Sequence, residues 1–125
     1  MIDHIDHVVL TTRDLPACTH FYCEILGMKK EPFGQNRIAF KFGSQKINIH
    51  EWGREFTPRA HVAAPGTLDL CFIASLSLEE VISRLKNSKI EILEGPVLKT
   101  GAVSKLRSVY VRDPDLNLVE ISVPA

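Results

Sequence analysis

The chain has 125 residues, enough for one domain with one sizeable core. Its 15 basic and 15 acidic residues cancel, which argues against nucleic acid or an anionic membrane surface as partner. Cys18, Cys23 and Cys71 are odd in number and form no CxxC pair, so neither a disulfide framework nor a zinc ribbon is indicated, and reduced thiols in the cytoplasm are expected.

The opening "MIDHIDHVVL" has no basic region followed by a long apolar run, so no signal peptide is read there. No apolar segment approaches the ~20 residues that span a bilayer. A first strand is expected over Ile5 to Thr12, rich in β-branched residues. "RDLPACTHFYCEILG" then reads as a helix, with Asp14 as N-cap, Pro16 in the first turn and Gly27 as the stop. Cys18, Phe21, Tyr22 and Ile25 recur at helical spacing and should face a sheet. "MKKEPF", "RIAFKF" and "QKINIHEW" are three short strands, separated by the turns "FGQN" and "FGSQ".

The polar stretch "GREFTPRAHVAAPGT" reads as a linker, and after it the order repeats. "LDLCFIA" is a strand. "SLEEVISRLKNS" is a helix with Ser77 and Glu80 as a capping box. "IEILEGPV", "LRSVYVR" and "NLVEISV" are three further strands, the last preceded by an Asp113-Pro114-Asp115 turn whose carboxylates should bond the local backbone. The chain is therefore expected to be α+β, with two βαβββ modules (residues 1–57 and 67–125) joined by a linker over 58–66. Each half is too small for a stable core alone, so the modules should pair. Their curved sheets, each with a helix outside, would enclose a central cleft.

Strand alternation assigns side chains to that cleft. If Leu10, Ile47, Ile49, Phe72, Val109, Val111, Val119 and Ile121 go to the core, then His7, Asn48, His50, Asp69, Cys71, Ser108, Tyr110 and Glu120 point inward. Two histidines and a carboxylate are a donor set for a divalent ion with open positions. The bland alternatives are a strand histidine bonded to Asp6 or Glu120, and a Glu120 paired with Arg107 or Arg112. Cys71 reads as a buried thiol. His4, His20 and His61 read as solvated.

The early "DHVVL", the "RDLxxxxxFYxxxLG" helix and the late "YVRDPDxNLVEIS" resemble the vicinal oxygen chelate superfamily, which includes glyoxalase I, bleomycin-binding proteins and extradiol dioxygenases. The resemblance covers essentially the whole chain. It implies paired βαβββ modules, a homodimer, and a divalent metal (Fe, Mn, Ni or Zn). His7 matches the first-strand ligand and Glu120 the last-strand ligand. Asp69 stands where the second module usually supplies His, and Asn48, followed by His50, where glyoxalase I supplies Glu. The resemblance implies a metal-dependent lyase, isomerase or dioxygenase acting on a small oxygen-rich substrate. In it His7, Glu120, His50 and Asp69 would be ligands, Glu120 and Tyr110 catalytic, and Ser108, Tyr110, Asn48 and Cys71 substrate contacts. A metal-free binder of the bleomycin-resistance type, with Trp52, Phe56 and Phe33 lining a groove, is the alternative.

Overall fold

The β-branched run His7–Thr12 forms β1 in the computed structural model, which describes residues 1–125. Two units follow the sequence repeat, Met1–Thr67 and Leu68–Ala125. In the first, β1 leads to α1 (Leu15–Thr19), a π-helical segment (His20–Ile25), β2 (Lys29–Phe33), β3 (Arg37–Phe42) and β4 (Gln45–Glu51). The sheet order is β1-β4-β3-β2, with β1 parallel to β4 and the other pairs antiparallel.

Asp14 caps α1 as expected, its carboxylate accepting from the Ala17 amide at 3.1 Å. The expected single α-helix does not persist, however. From His20 the turns widen, and the Leu26 amide bonds the Phe21 carbonyl, five residues back. The Thr19 hydroxyl sits at the junction and donates to the Leu15 carbonyl at 2.8 Å. Such back-bonding competes with the regular backbone ladder and distorts helices. Gly27, at φ 82°, ends the segment in a conformation that suits glycine. Cys18, Phe21, Tyr22 and Ile25 are all buried, as their spacing predicted. Leu10, Phe40, Ile47 and Ile49 are buried on one face of the sheet, where Tyr22 stacks on Phe40 with ring centroids 5.9 Å apart. Burial of each large side chain contributes on the order of 1.5–3 kcal/mol.

The second unit runs β5 (Asp69–Ile73), α2 (Leu78–Asn87), β6 (Glu94–Thr100), β7 (Lys105–Arg112) and β8 (Leu118–Pro124). Its order is β5-β8-β7-β6, with β5 parallel to β8. Ser77 caps α2 by accepting from the Glu80 amide at 3.2 Å, and its hydroxyl donates to the Glu80 carboxylate at 3.1 Å.

The sequence places the next strand over residues 90–97, but β6 begins only at Glu94. The intervening residues close the helix instead. Lys89 takes φ 59°, its amide bonds the Lys86 carbonyl, and the Ile90 amide bonds the Leu85 carbonyl. This is a Schellman ending with lysine in the left-handed position.

The Asp113 turn is structural, as expected. One carboxylate oxygen accepts from the amides of Asp115 and Asn117, each at 2.9 Å. The other accepts from the Asn117 side-chain amide at 2.8 Å. Asn117 in turn accepts from the Leu68 amide at 2.9 Å, tying the turn to the start of β5. No helix is long and apolar enough to cross a membrane.

Candidate functional site

In the first unit the parallel register aligns His7 with Lys46, Val9 with Asn48 and Thr11 with His50. His7, Asn48 and His50 therefore share one sheet face, as alternation predicted. Arg37 and Ala39 join them there, because Ala39 pairs with Asn48. His7 stands at the edge strand with its Nδ1 2.8 Å from an Asp6 carboxylate oxygen, the bond that the bland alternative for this histidine called for. That hydrogen bond holds Asp6 below its ordinary carboxylate range. With Nδ1 engaged, Nε2 is the free nitrogen, the arrangement in which an outer carboxylate orients an imidazole toward a cation.

His50 is different. Only 3% of it is exposed, its ring lies 5.5 Å from that of Phe56, and neither ring nitrogen has a hydrogen-bond partner. Burial, then the Arg37 guanidinium, pulls its pKa below 6.5, so the ring is neutral at pH 7. His50 lies four residues along from the position aligned with His7, roughly 13 Å at strand rise. Both rings project the same way. One ion with bonds of about 2 Å to nitrogen cannot take both, so the expected pairing of His7 and His50 as ligands of one ion does not hold within this unit.

In the second unit Glu120 pairs with Cys71 on β5 and with Tyr110 on β7. Ser122 pairs with Ser108, and Asp69 lies one inward step from Cys71. All the second-unit residues expected on one face are thus on it. The Ser108 hydroxyl donates to Glu120 Oε2 at 2.6 Å, and the Ser122 hydroxyl is 3.2 Å from the same oxygen. Ser108 and Ser122 are 2.7 Å apart, and Cys71 Sγ is 3.4 Å from the Ser122 hydroxyl.

Burial is the largest single influence on Glu120 and pushes its pKa up. Hydrogen bonds from Ser108, Tyr110, Ser122 and Cys71 together outweigh it and hold the carboxyl below its ordinary value. Tyr110 moves the other way. Burial, then its hydrogen bond to Glu120, pushes the phenol up to about 12. Each shift has the sign expected of a charged acceptor and a neutral donor.

Three alternatives from the sequence are resolved. Glu120 does not pair with arginine: Arg107 contacts Glu79 at 3.3 Å, and Arg112 donates to the Leu116 carbonyl. Cys71 is exposed on the sheet face rather than buried. Its thiol is pushed up by desolvation first, and Asp69 and Glu120 add to this, which makes it a poor nucleophile. His4, His20 and His61 are exposed, as expected. Within neither unit do three His, Cys, Asp or Glu side chains converge as a metal cage.

Sequence reasoning missed Ser122 and Arg37. Ser122 was legible, since it is two residues past Glu120 and so on the same face. Arg37 carried no signal, being the first residue of a strand beside a turn.

Residues 4–121 match the Glyoxalase/Bleomycin resistance protein/Dioxygenase superfamily. The chain is 49% identical over 122 residues to Virulence protein STM3117 of Salmonella typhimurium, covering 98% of this chain and 85% of that protein. It is 48% identical over 118 residues to the glyoxalase domain-containing protein RDO1 of Mycosarcoma maydis, covering 94% of this chain and 66% of that one. The crystal structure of the Salmonella protein superposes with a TM-score of 0.97, covering 100% of this chain and 99% of that one. A lactoylglutathione lyase from Agrobacterium tumefaciens shares the fold at 23% identity, with a TM-score of 0.75 over 98% of this chain and 95% of that one.

Proposed function

We propose, because the chain belongs to the Glyoxalase/Bleomycin resistance protein/Dioxygenase superfamily, that it is a metal-dependent enzyme acting on a small oxygen-rich substrate. The observation that carries this reading is the Glu120 carboxylate, kept ionised on an inward-facing strand position by the Ser108 and Ser122 hydroxyls rather than by an arginine. The donor types suit a divalent ion: the first unit offers the His7 Nε2 imidazole nitrogen, and the second offers the ionised Glu120 carboxylate and Asp69, one inward step from the strand position facing it. A bound ion would supply Lewis-acid polarisation of a substrate oxygen.

The chain's own groups have separate tasks. Ser108 and Ser122 fix the orientation of Glu120 and keep it charged. A carboxylate stabilised by four donors is a weak base and a good anionic ligand, so Glu120 holds charge more readily than it takes a proton. Tyr110 keeps its proton across the physiological range and can donate a hydrogen bond to a substrate oxygen. Asp6 keeps the His7 ring from turning.

The test is elemental analysis of the protein as purified, beside His7→Ala and Glu120→Ala. About one Mn, Fe, Ni or Zn per chain, lost in both variants while their circular dichroism is unchanged, is the expected result. A metal-free protein that takes up none of these ions would instead place the chain among small-molecule binders. Phe33 and Phe56, flanking Arg37 at 5.0 and 4.7 Å, would then line its groove.

A further inference from the structure

The first unit carries polar groups that the proposed metal chemistry does not use. Asn48 is 5% exposed and His50 3%. Asn48 Oδ1 and both His50 ring nitrogens are buried without a hydrogen-bond partner. Buried polar groups in native proteins are nearly always partnered, and each one left unpaired costs stability. At the register position facing His50 lies Arg37. Its guanidinium is sandwiched between Phe33 and Phe56. Aromatic faces orient such a group and strip its water but supply no hydrogen-bond acceptor. Arg37 has no carboxylate in ion-pair contact.

A groove of about 270 Å³ adjoins these residues on the same face. Ala39, the cross-strand partner of Asn48, lines it together with Phe33, the cations Lys41 and Lys46 and the carboxylates Asp6 and Glu31.

We propose that Arg37, His50 and Asn48 form a recognition point for a small 2-hydroxycarboxylate. The donors and acceptors decide the class. Arg37 offers a fork of N–H donors that matches a carboxylate bidentately. His50, neutral in its buried, cation-flanked place, offers one N–H and one lone pair. Asn48 Oδ1 can only accept. The ligand must therefore bring a charged acceptor and, close beside it, a group that both accepts and donates. A carboxylate with a neighbouring hydroxyl matches the Arg37 fork, accepts from the His50 N–H and gives its one proton to Asn48 Oδ1, whereas a bare carboxylate has no proton for Asn48 Oδ1 and a bare alcohol leaves Arg37 unmatched. The inference rests on the metal-enzyme reading only in calling this molecule a substrate; its binding needs the first unit alone.

The experiment uses the protein as purified and lactate as probe. It follows the His50 ring nitrogens by NMR, with the metal content of the same sample measured beside it. Saturable shifts of the His50 resonances are expected. Arg37→Met should weaken binding at least tenfold, and Arg37→Lys less than that. Propionate, which lacks the hydroxyl, should bind at least tenfold more weakly than lactate. Because Arg37 is only half-buried, both variants should fold, and an unchanged wild-type-like spectrum verifies it. Equal affinity for lactate and propionate overturns the proposal. So does inorganic phosphate binding as tightly as lactate, or His50 resonances that no probe moves. Lactate binding to a sample that is metal-free and takes up no added Mn, Fe, Ni or Zn sinks the metal reading and leaves this one standing. A metal-loaded sample indifferent to lactate does the reverse.

Discussion

Ser108 has no exposed surface and spends its proton on Glu120 while also touching Ser122. A hydrogen bond to a charged group contributes about 1.5–3 kcal/mol. Ser108→Ala should therefore destabilise the protein by about 2 kcal/mol, read as a lower urea midpoint. Glu120 titrates lower in the folded chain than an ordinary glutamate, held there by its hydrogen-bond donors. Its contribution is complete above the unfolded value and is lost as pH falls through the folded one. The stability difference between wild type and Glu120→Gln should shrink in that acid window and stay constant from pH 6 to 8. His50 gives a second pH signature. Its folded value lies below 6.5, so the neutral ring's contribution is whole above 6.5 and fades as pH drops from there. His50→Gln should flatten the stability curve between pH 7 and pH 5. At this scale the sequence was informative about direction and silent about partners. Alternation put Glu120 and His50 on the right faces. It could not show that one would be surrounded by donors and the other left without any.

Elements with local punctuation were the most legible. Asp14, Gly27 and Ser77 marked helix ends because capping is decided within a few residues. The start of β6 was not legible, since its first residues were taken by the helix ending at Lys89, an unusual residue for a left-handed position. The π-helical widening after Thr19 was hidden because threonine's back-bond competes on nearly even terms with an ordinary turn. Two substitutions probe the elements. Asp113 accepts three hydrogen bonds within its own turn, so Asp113→Ala should cost on the order of 3 kcal/mol or more by leaving buried donors unpaired. Gly95 holds φ 113° beside the bulge in β6. A Cβ there would strike the Ser108 carbonyl oxygen, so Gly95→Ala should lower the thermal midpoint by several degrees, as a strained backbone position predicts.

At the scale of the whole molecule, the repeat of elements was readable because both halves reuse one pattern of apolar spacing. Which side chains would hold a cation was not readable to the same depth, because ligand convergence depends on side-chain geometry that no periodicity encodes. The repeat and the family resemblance lead us to expect a homodimer. Light scattering on the purified protein should then report twice 14.0 kDa, and elemental analysis about two ions per particle. A single-chain mass would remove the dimer from the proposal.

The strand order of the second unit has a further bearing on how the chain is made. β8, the last strand, lies between β5 and β7 in that sheet. β7 can already pair with β6, but β5 has no other strand partner and waits until residues 118–124 have emerged from the ribosome. Glu120 and Ser122 arrive with them. Synthesis interrupted before Leu118 would thus leave β5 without a strand partner and the polar network without two of its members in one event.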